Sequence, residues 1–272
     1  MEATVYTGST RWDELEVNRI PLGQPFKWLA KGWRDIGSAG IYSLRYGAAF
    51  VVISGLITWL VWSTDSLFLL PFLIAGFFIV APPLGIGLYL MSAHLERGEP
   101  LAGCSAYQAW KLNQSQVSMV STGFIILVNI RLVANVALFT LLYEGSSPSL
   151  DNFFTRVFLS EAGFKFALAS LVVGFLIAWC AFAISVITVP MLIDRQVDGF
   201  TAIRFSIKSV LGNMPAMMLW AGMIVLIVGL GIATFYLGLI IALPLIGHAS
   251  WHAYRDLVPT GEEGSTAGGN RK

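Results

Sequence analysis

The chain contains apolar stretches too long to hide inside a water-soluble domain. A helix needs about 20 apolar residues to cross roughly 30 Å of hydrocarbon. Six stretches reach or approach that length: Leu44–Trp62, Leu67–Met91, Ser118–Tyr143, Gly163–Leu192, Pro215–Gly231 and Ala233–Ala253. A bilayer offers backbone groups no hydrogen-bond partner, so each stretch is predicted to be helical. The fifth and sixth form one run too long for a single crossing. Gly229-Leu230-Gly231 is the expected turn, since glycine tolerates turn geometry. Composition agrees: 56% of the 272 residues are hydrophobic and 12% charged, against about 25% charged in a soluble domain. A net charge of +1 makes no case for nucleic acid, which needs a basic face.

Orientation follows from the basic residues. An even number of spans puts both termini on one side, which then carries fourteen of the Lys and Arg residues. The other side carries Arg156 and Lys165. By the positive-inside rule both termini are expected in the cytoplasm. The first apolar run begins too late for a secretory signal. The far side then has short turns near Thr64-Asp65 and Thr234, and a longer loop, Glu144–Ala162. In that loop Asp151 is expected to cap a short amphipathic helix.

A unit of roughly 85 residues recurs, with boundaries near 24–100, 101–198 and 199–258. Each unit has an amphipathic lead-in, an outward span, a return span and a proline near the exit. The exits are Ala81-Pro82-Pro83-Leu84-Gly85, Val189-Pro190-Met191-Leu192 and Leu243-Pro244-Leu245-Ile246-Gly247. The lead-ins are Pro25–Trp33, Ser105–Lys111 and Phe200–Lys208. The expected architecture is one membrane domain, 1–258, of six transmembrane helices in three parallel helical-hairpin repeats with interfacial amphipathic segments. A disordered cytoplasmic tail, 259–272, is expected to follow. Rings in the interface and cations on lipid phosphate make Lys27, Trp28, Lys31, Trp33, Arg34, Trp110, Lys111, Arg204 and Lys208 candidate contacts with anionic headgroups.

Several stretches resemble a known family, the bacterial integral membrane proteins grouped as domain of unknown function 2189. They are Pro71-Phe72-Leu73-Ile74-Ala75-Gly76 through Glu99-Pro100, Val189-Pro190-Met191-Leu192-Ile193-Asp194-Arg195, and Leu243–Arg255 with its Gly247-His248-Ala249-Ser250-Trp251-His252 core. The resemblance runs from about residue 18 to 258. It implies a six-span protein of the bacterial inner membrane and brings no established activity.

Three places could carry chemistry. No Asp or Glu lies inside a span, which counts against a cation or proton pump. Arg131 lies near the middle of the third span, where a cation costs about 2.5–3.5 kcal/mol or more on insertion scales. Asn135 lies one turn on, on the same face. The pair reads either as a structural cation bonded to Asn135 and neighbouring carbonyls, or as an anion, lipid or partner site. His248 and His252, at i and i+4, sit at the depth of His94, so a metal or haem is a weaker alternative. Interfacial anchoring accounts for the same histidines. Two cysteines are too few for a disulfide framework. Cys104 reads as a reduced cytoplasmic thiol and Cys180 as a small core residue of the fourth span. No catalytic residues are assigned and no cofactor is required. The reading is a non-enzymatic inner-membrane scaffold or accessory protein acting through membrane lipids or a membrane-protein partner. The alternatives are a small-solute or lipid facilitator with Arg131 and Asn135 lining the path, and a haem- or metal-bearing accessory of a respiratory complex.

Overall fold

The computed structural model describes residues 17–64, 70–142 and 160–259. The expected helix at Asp151 and the tail lie outside the described residues. Within them the chain is all-helical, in the order α1 (Gln24–Ala39), α2 (Ile41–Ser63), α3 (Leu70–Leu84), α4 (Ile86–Arg97), α5 (Ala106–Leu112), α6 (Gln114–Leu142), α7 (Glu161–Ser185), α8 (Thr188–Asp194), α9 (Gly199–Gly212), α10 (Met214–Ala233) and α11 (Leu239–Leu257). The lead-ins are the helices α1, α5 and α9, each placed just before a long apolar helix.

Among the described residues, five helical stretches are long and apolar enough to cross a membrane: Ile41–Ser63, Phe72–Arg97, Gln114–Leu142, Glu161–Asp194 and Met214–Ala233. The sixth expected span is largely α11, and it falls outside that set. Its composition shows why. His248, Ser250, Trp251, His252 and Tyr254 are all buried, because α11 packs against α1, α2, α4, α8 and α10 rather than against an apolar surround. The other long helices have the reverse pattern. Val52, Leu56, Trp59, Trp62, Val133, Leu141, Leu171, Val225 and Leu230 are exposed. An apolar exterior of this extent is tolerated only in a lipid environment.

The turn between α10 and α11 is at Thr234–Gly238 and not at Gly229–Gly231. Gly231 stays helical because its bare backbone lets α11 approach: a Cβ there would lie 2.8 Å from Leu239 Cδ2. Phe235 and Tyr236 take positive φ of 53° and 69° to make the turn. Thr234 Oγ1 accepts from the Gly238 amide at 2.8 Å, and the Tyr236 and Thr58 hydroxyls meet at 2.7 Å.

Proline shapes the helix breaks. Pro82 and Pro83 lie in the last turn of α3, and the chain restarts as α4 after Gly85. At the α7–α8 break, Ser206 of α9 bridges the gap. Its hydroxyl donates to the Ala183 carbonyl at 2.7 Å and accepts from the Ile187 amide at 3.2 Å. Buried backbone groups freed by a break need such partners.

Candidate functional site

α1 and α11 are tied together by their polar residues. α1 turns Pro25, Trp28, Gly32 and Ala39 inward, at helical spacing. Gly32 lets the helices close: a Cβ there would sit 2.9 Å from the Leu245 carbonyl oxygen. Trp28 is wholly buried, edge-on to Trp220 at 5.5 Å, with its Nε1 donating to Asp256 Oδ2 at 2.8 Å. Gln24 donates to the same oxygen at 2.6 Å, and Lys31 Nζ lies 3.5 Å from Asp256 Oδ1. Trp28 is therefore a joint within the bundle and not a headgroup contact, whereas Lys31, with a side chain 36% exposed, pairs with Asp256 from the surface. The buried indole needed an acceptor, and a carboxylate at the end of α11 supplies it. Lys27, Trp33, Arg34, Lys111, Arg204 and Lys208 remain exposed. Trp110 is half-buried and donates to Ser118 Oγ at 2.8 Å, while Lys111 Nζ lies over the Tyr107 ring at 4.4 Å.

The same end of the bundle holds a relay of side chains from four helices. Ser43 Oγ of α2 lies 2.7 Å from His248 Nε2 of α11, and His248 Nδ1 lies 2.7 Å from Ser92 Oγ of α4. Ser92 Oγ donates to Asp35 Oδ2 of α1 at 2.6 Å, and His252 Nε2 donates to that oxygen at 3.0 Å. Hydrogen counting assigns the chain. Ser92 spends its one proton on the carboxylate, so it accepts from Nδ1–H of His248. Nε2 is then the acceptor for the Ser43 hydroxyl. Ser43, Ser92 and His248 are fully buried. Burial pushes the Asp35 carboxyl upward, but the hydrogen bonds from His252 and Ser92, with the nearby imidazoles, leave its pKa below the ordinary 3.8.

His94 does not join this group. Its Nδ1 faces the Pro100 carbonyl at 3.1 Å and Glu99 at 3.5 Å. The expected level of three histidines is thus split in two. Among the described residues no group of three His, Cys, Asp or Glu is placed to hold a metal ion. Asp35, Ser43 and Ser92 were missed in the sequence. The i, i+4 pair His248 and His252 marked the face, but nothing in the linear order links it to serines more than 150 residues away.

Arg131 of α6 packs on α7 at Gly174, where an added Cβ would fall 1.8 Å from Nη1. Its Nε and Nη1 are enclosed and have no hydrogen-bond partner among the described residues. Asn135 is buried beside it but donates to the Arg131 carbonyl at 3.0 Å rather than engaging the guanidinium. The expected Asn135–guanidinium bond is corrected accordingly: an amide one turn on reaches back to the backbone more easily than to a side chain that leans across to α7. Cys104 is half-buried, which pushes its thiol pKa up. Cys180 is exposed on α7 instead of lying in the core. In an apolar surround, outward positions look like core positions.

An apolar cleft opens between α2, α3, α4, α7, α10 and α11. Phe50, Phe77, Leu88, Tyr89, Ile224 and Val228 supply walls, with the Tyr46 hydroxyl and Ser250 toward the relay end. Tyr46 donates to the Leu84 carbonyl at 2.5 Å, which holds the ring at the break between α3 and α4.

Apolar exteriors on long helices, with polar groups gathered inside, define an integral membrane protein. Residues 69–194 match the family described as predicted integral membrane protein, DUF2189. The match takes in Ser92, His94 and Arg131 but not α1, α2 or α11, so the C-terminal stretch Leu243–Arg255 lies outside it. No curated protein and no solved structure matches the chain.

Proposed function

We propose that this is a lipid-handling accessory protein of the bacterial inner membrane, which holds an acyl chain inside the bundle and grips anionic headgroups at its basic end. The cleft between Phe50, Phe77, Leu88, Tyr89, Ile224 and Val228 carries the reading. Apolar walls facing an unfilled space lose dispersion contacts, and in a bilayer the filler at hand is a hydrocarbon tail. Exposed Lys27, Arg34, Arg204 and Lys208 flank the inward-turned faces of α1 and α9, where phosphate would lie.

The topology that goes with this function has six crossings, both termini cytoplasmic and three parallel hairpin units. Nineteen residues of α11 span about 28 Å at 1.5 Å per residue, enough for a sixth crossing shielded by its neighbours. Arg131 favours a second contact of the same protein. Its unpartnered Nε and Nη1 suit an anionic group from a lipid or a neighbouring membrane protein.

Purification in mild detergent with lipid extraction and native mass spectrometry tests the reading. The wild-type chain is expected to retain an acyl lipid, and Ala81→Phe, which fills the cleft wall, to lose it. Equal retention by the two proteins, or none by the wild type, would reject the cleft as a lipid site.

A further inference from the structure

We propose that Ser43 is a nucleophile, that His248 is its general base, and that the pair cleaves an ester of the acyl lipid class. The substrate class rests on the lipid reading above; the nucleophile rests on geometry alone. A nucleophile activated for acyl transfer needs a base in hydrogen-bond reach and a third group orienting that base. Ser43 Oγ is 2.7 Å from His248 Nε2. The base is oriented through Ser92 by Asp35, whose Oδ2 is 3.9 Å from His248 Nδ1 and bonded to Ser92 at 2.6 Å. Asp35 and Ser92 are positioning residues that favour the Nδ1–H tautomer and offset charge on the imidazole.

The local backbone adds a second, independent observation. Ser43 lies in the first turn of α2, just after Gly40, which turns the chain from α1 into α2 at φ 54°, ψ −123°. Leu44 N donates to the Gly40 carbonyl at 3.3 Å, whereas the Ile41, Tyr42 and Ser43 amides lie in the orphan first turn with no capping side chain. Such amides, at the positive end of a 23-residue helix, can receive a developing oxyanion. Ser43 is closed off in this arrangement, while its neighbours Ile41 and Tyr42 are 55% and 40% exposed. Entry therefore requires the α1–α2 junction to part at Gly40.

The step balances with water as the second substrate. Ser43 Oγ–H passes its proton to His248 Nε2 as Oγ bonds to the ester carbonyl carbon. The tetrahedral oxyanion collapses, the C–O bond to the alcohol breaks, and Nε2–H protonates the leaving oxygen. Water then gives a proton to Nε2 and attacks the acyl-serine. The acid leaves, and Nε2–H returns the proton to Ser43 Oγ.

The test is labelling of the full chain in bilayer nanodiscs with an alkyl fluorophosphonate, located by peptide mass. An adduct on Ser43 is expected in the wild type and none in Ser43→Ala. His248→Asn should slow labelling by ~100-fold or more, the low end of a general base's contribution. Ser92→Ala, which removes the hydroxyl between Asp35 and His248, should slow labelling, and Ser92→Thr, which keeps that hydroxyl, should restore it. All variants are checked for wild-type helicity and a single size-exclusion peak. A folded wild type that gains no adduct at Ser43, or equal labelling rates with His248→Asn, overturns the proposal. The small probe does not need the cleft, so its result is separate from lipid retention: an adduct on a protein that retains no lipid removes the substrate class and leaves the nucleophile.

Discussion

Gly47 of α2 lies directly on the carbonyl of Ile240 in α11: an added Cβ would sit 2.4 Å from that oxygen and 2.8 Å from its carbon. The contact has a cause in α11. Pro244 has no N–H to donate to the residue four positions earlier, so the Ile240 carbonyl is released from the helix ladder. It is covered by the one kind of residue that lets another backbone come so near. Gly47→Ala is therefore expected to lower thermal stability in detergent by about 1–3 kcal/mol or more, the range for overpacking. Gly55→Ala, at a position with nothing within 4 Å, is the matched control and should change little.

Arg131 leads to the opposite expectation. Its Nε and Nη1 are enclosed without acceptors, and an uncompensated cation in an apolar setting costs stability. Arg131→Met should raise the melting temperature of the delipidated protein. If Arg131 meets an anion in the bilayer, the gain should shrink or reverse in nanodiscs containing anionic lipid. A lower melting temperature in both settings would mean that the guanidinium has an internal partner.

Asp35 gives a pH dependence. Its carboxyl has a lower pKa in the folded chain than the ordinary 3.8, so the unfolded chain binds that proton more readily. The resulting stability is present above the unfolded value and is lost as pH falls through the folded one. Melting temperature measured from neutral pH down to acid should drop in the wild type, and the drop should be smaller in Asp35→Asn. Parallel curves for the two proteins would remove Asp35 from the account.

Asp256 holds α1 against α11 by accepting from Gln24 and Trp28 and pairing with Lys31. Asp256→Ala leaves the buried Trp28 indole without an acceptor, at a cost of about 1.5–3 kcal/mol for hydrogen bonds to a charged group. Limited proteolysis should then cut around α1 sooner than in the wild type. Unchanged proteolysis would show that apolar packing alone seats the helix.

Much of the fold was legible in the linear pattern, for a physical reason. The long apolar runs mark α2, α6, α7 and α10 because lipid-facing helices must be apolar on all sides. The amphipathic lead-ins mark α1, α5 and α9 because their spacing is helical. The exact α10–α11 turn was not legible. Gly229 and Gly231 look like a breaker, yet Gly231 is used for close packing, and Phe235 and Tyr236 adopt the strained dihedrals. Trp28 and Trp33 are alike in sequence, yet one is wholly buried and the other 57% exposed. Arg131 was visible as an anomaly of charge and depth, and its contact with Gly174 was not. The relay was half visible: His248 and His252 announce a face, whereas Asp35, Ser43 and Ser92 become partners only when four helices converge.

The place of α11 has a bearing on how the bundle is made. This helix emerges from the ribosome after the ten other described helices, yet α1, α2 and α4 all lie on it. Until residues 239–257 are delivered, Ser43, Ser92 and Asp35 have no imidazole to meet, and Gly32 and Gly47 have no backbone to approach. The seats of α1, α2 and α4 against α11 can therefore close only once this last described helix is in place, whereas α6 already has α3 and α7 to pack on.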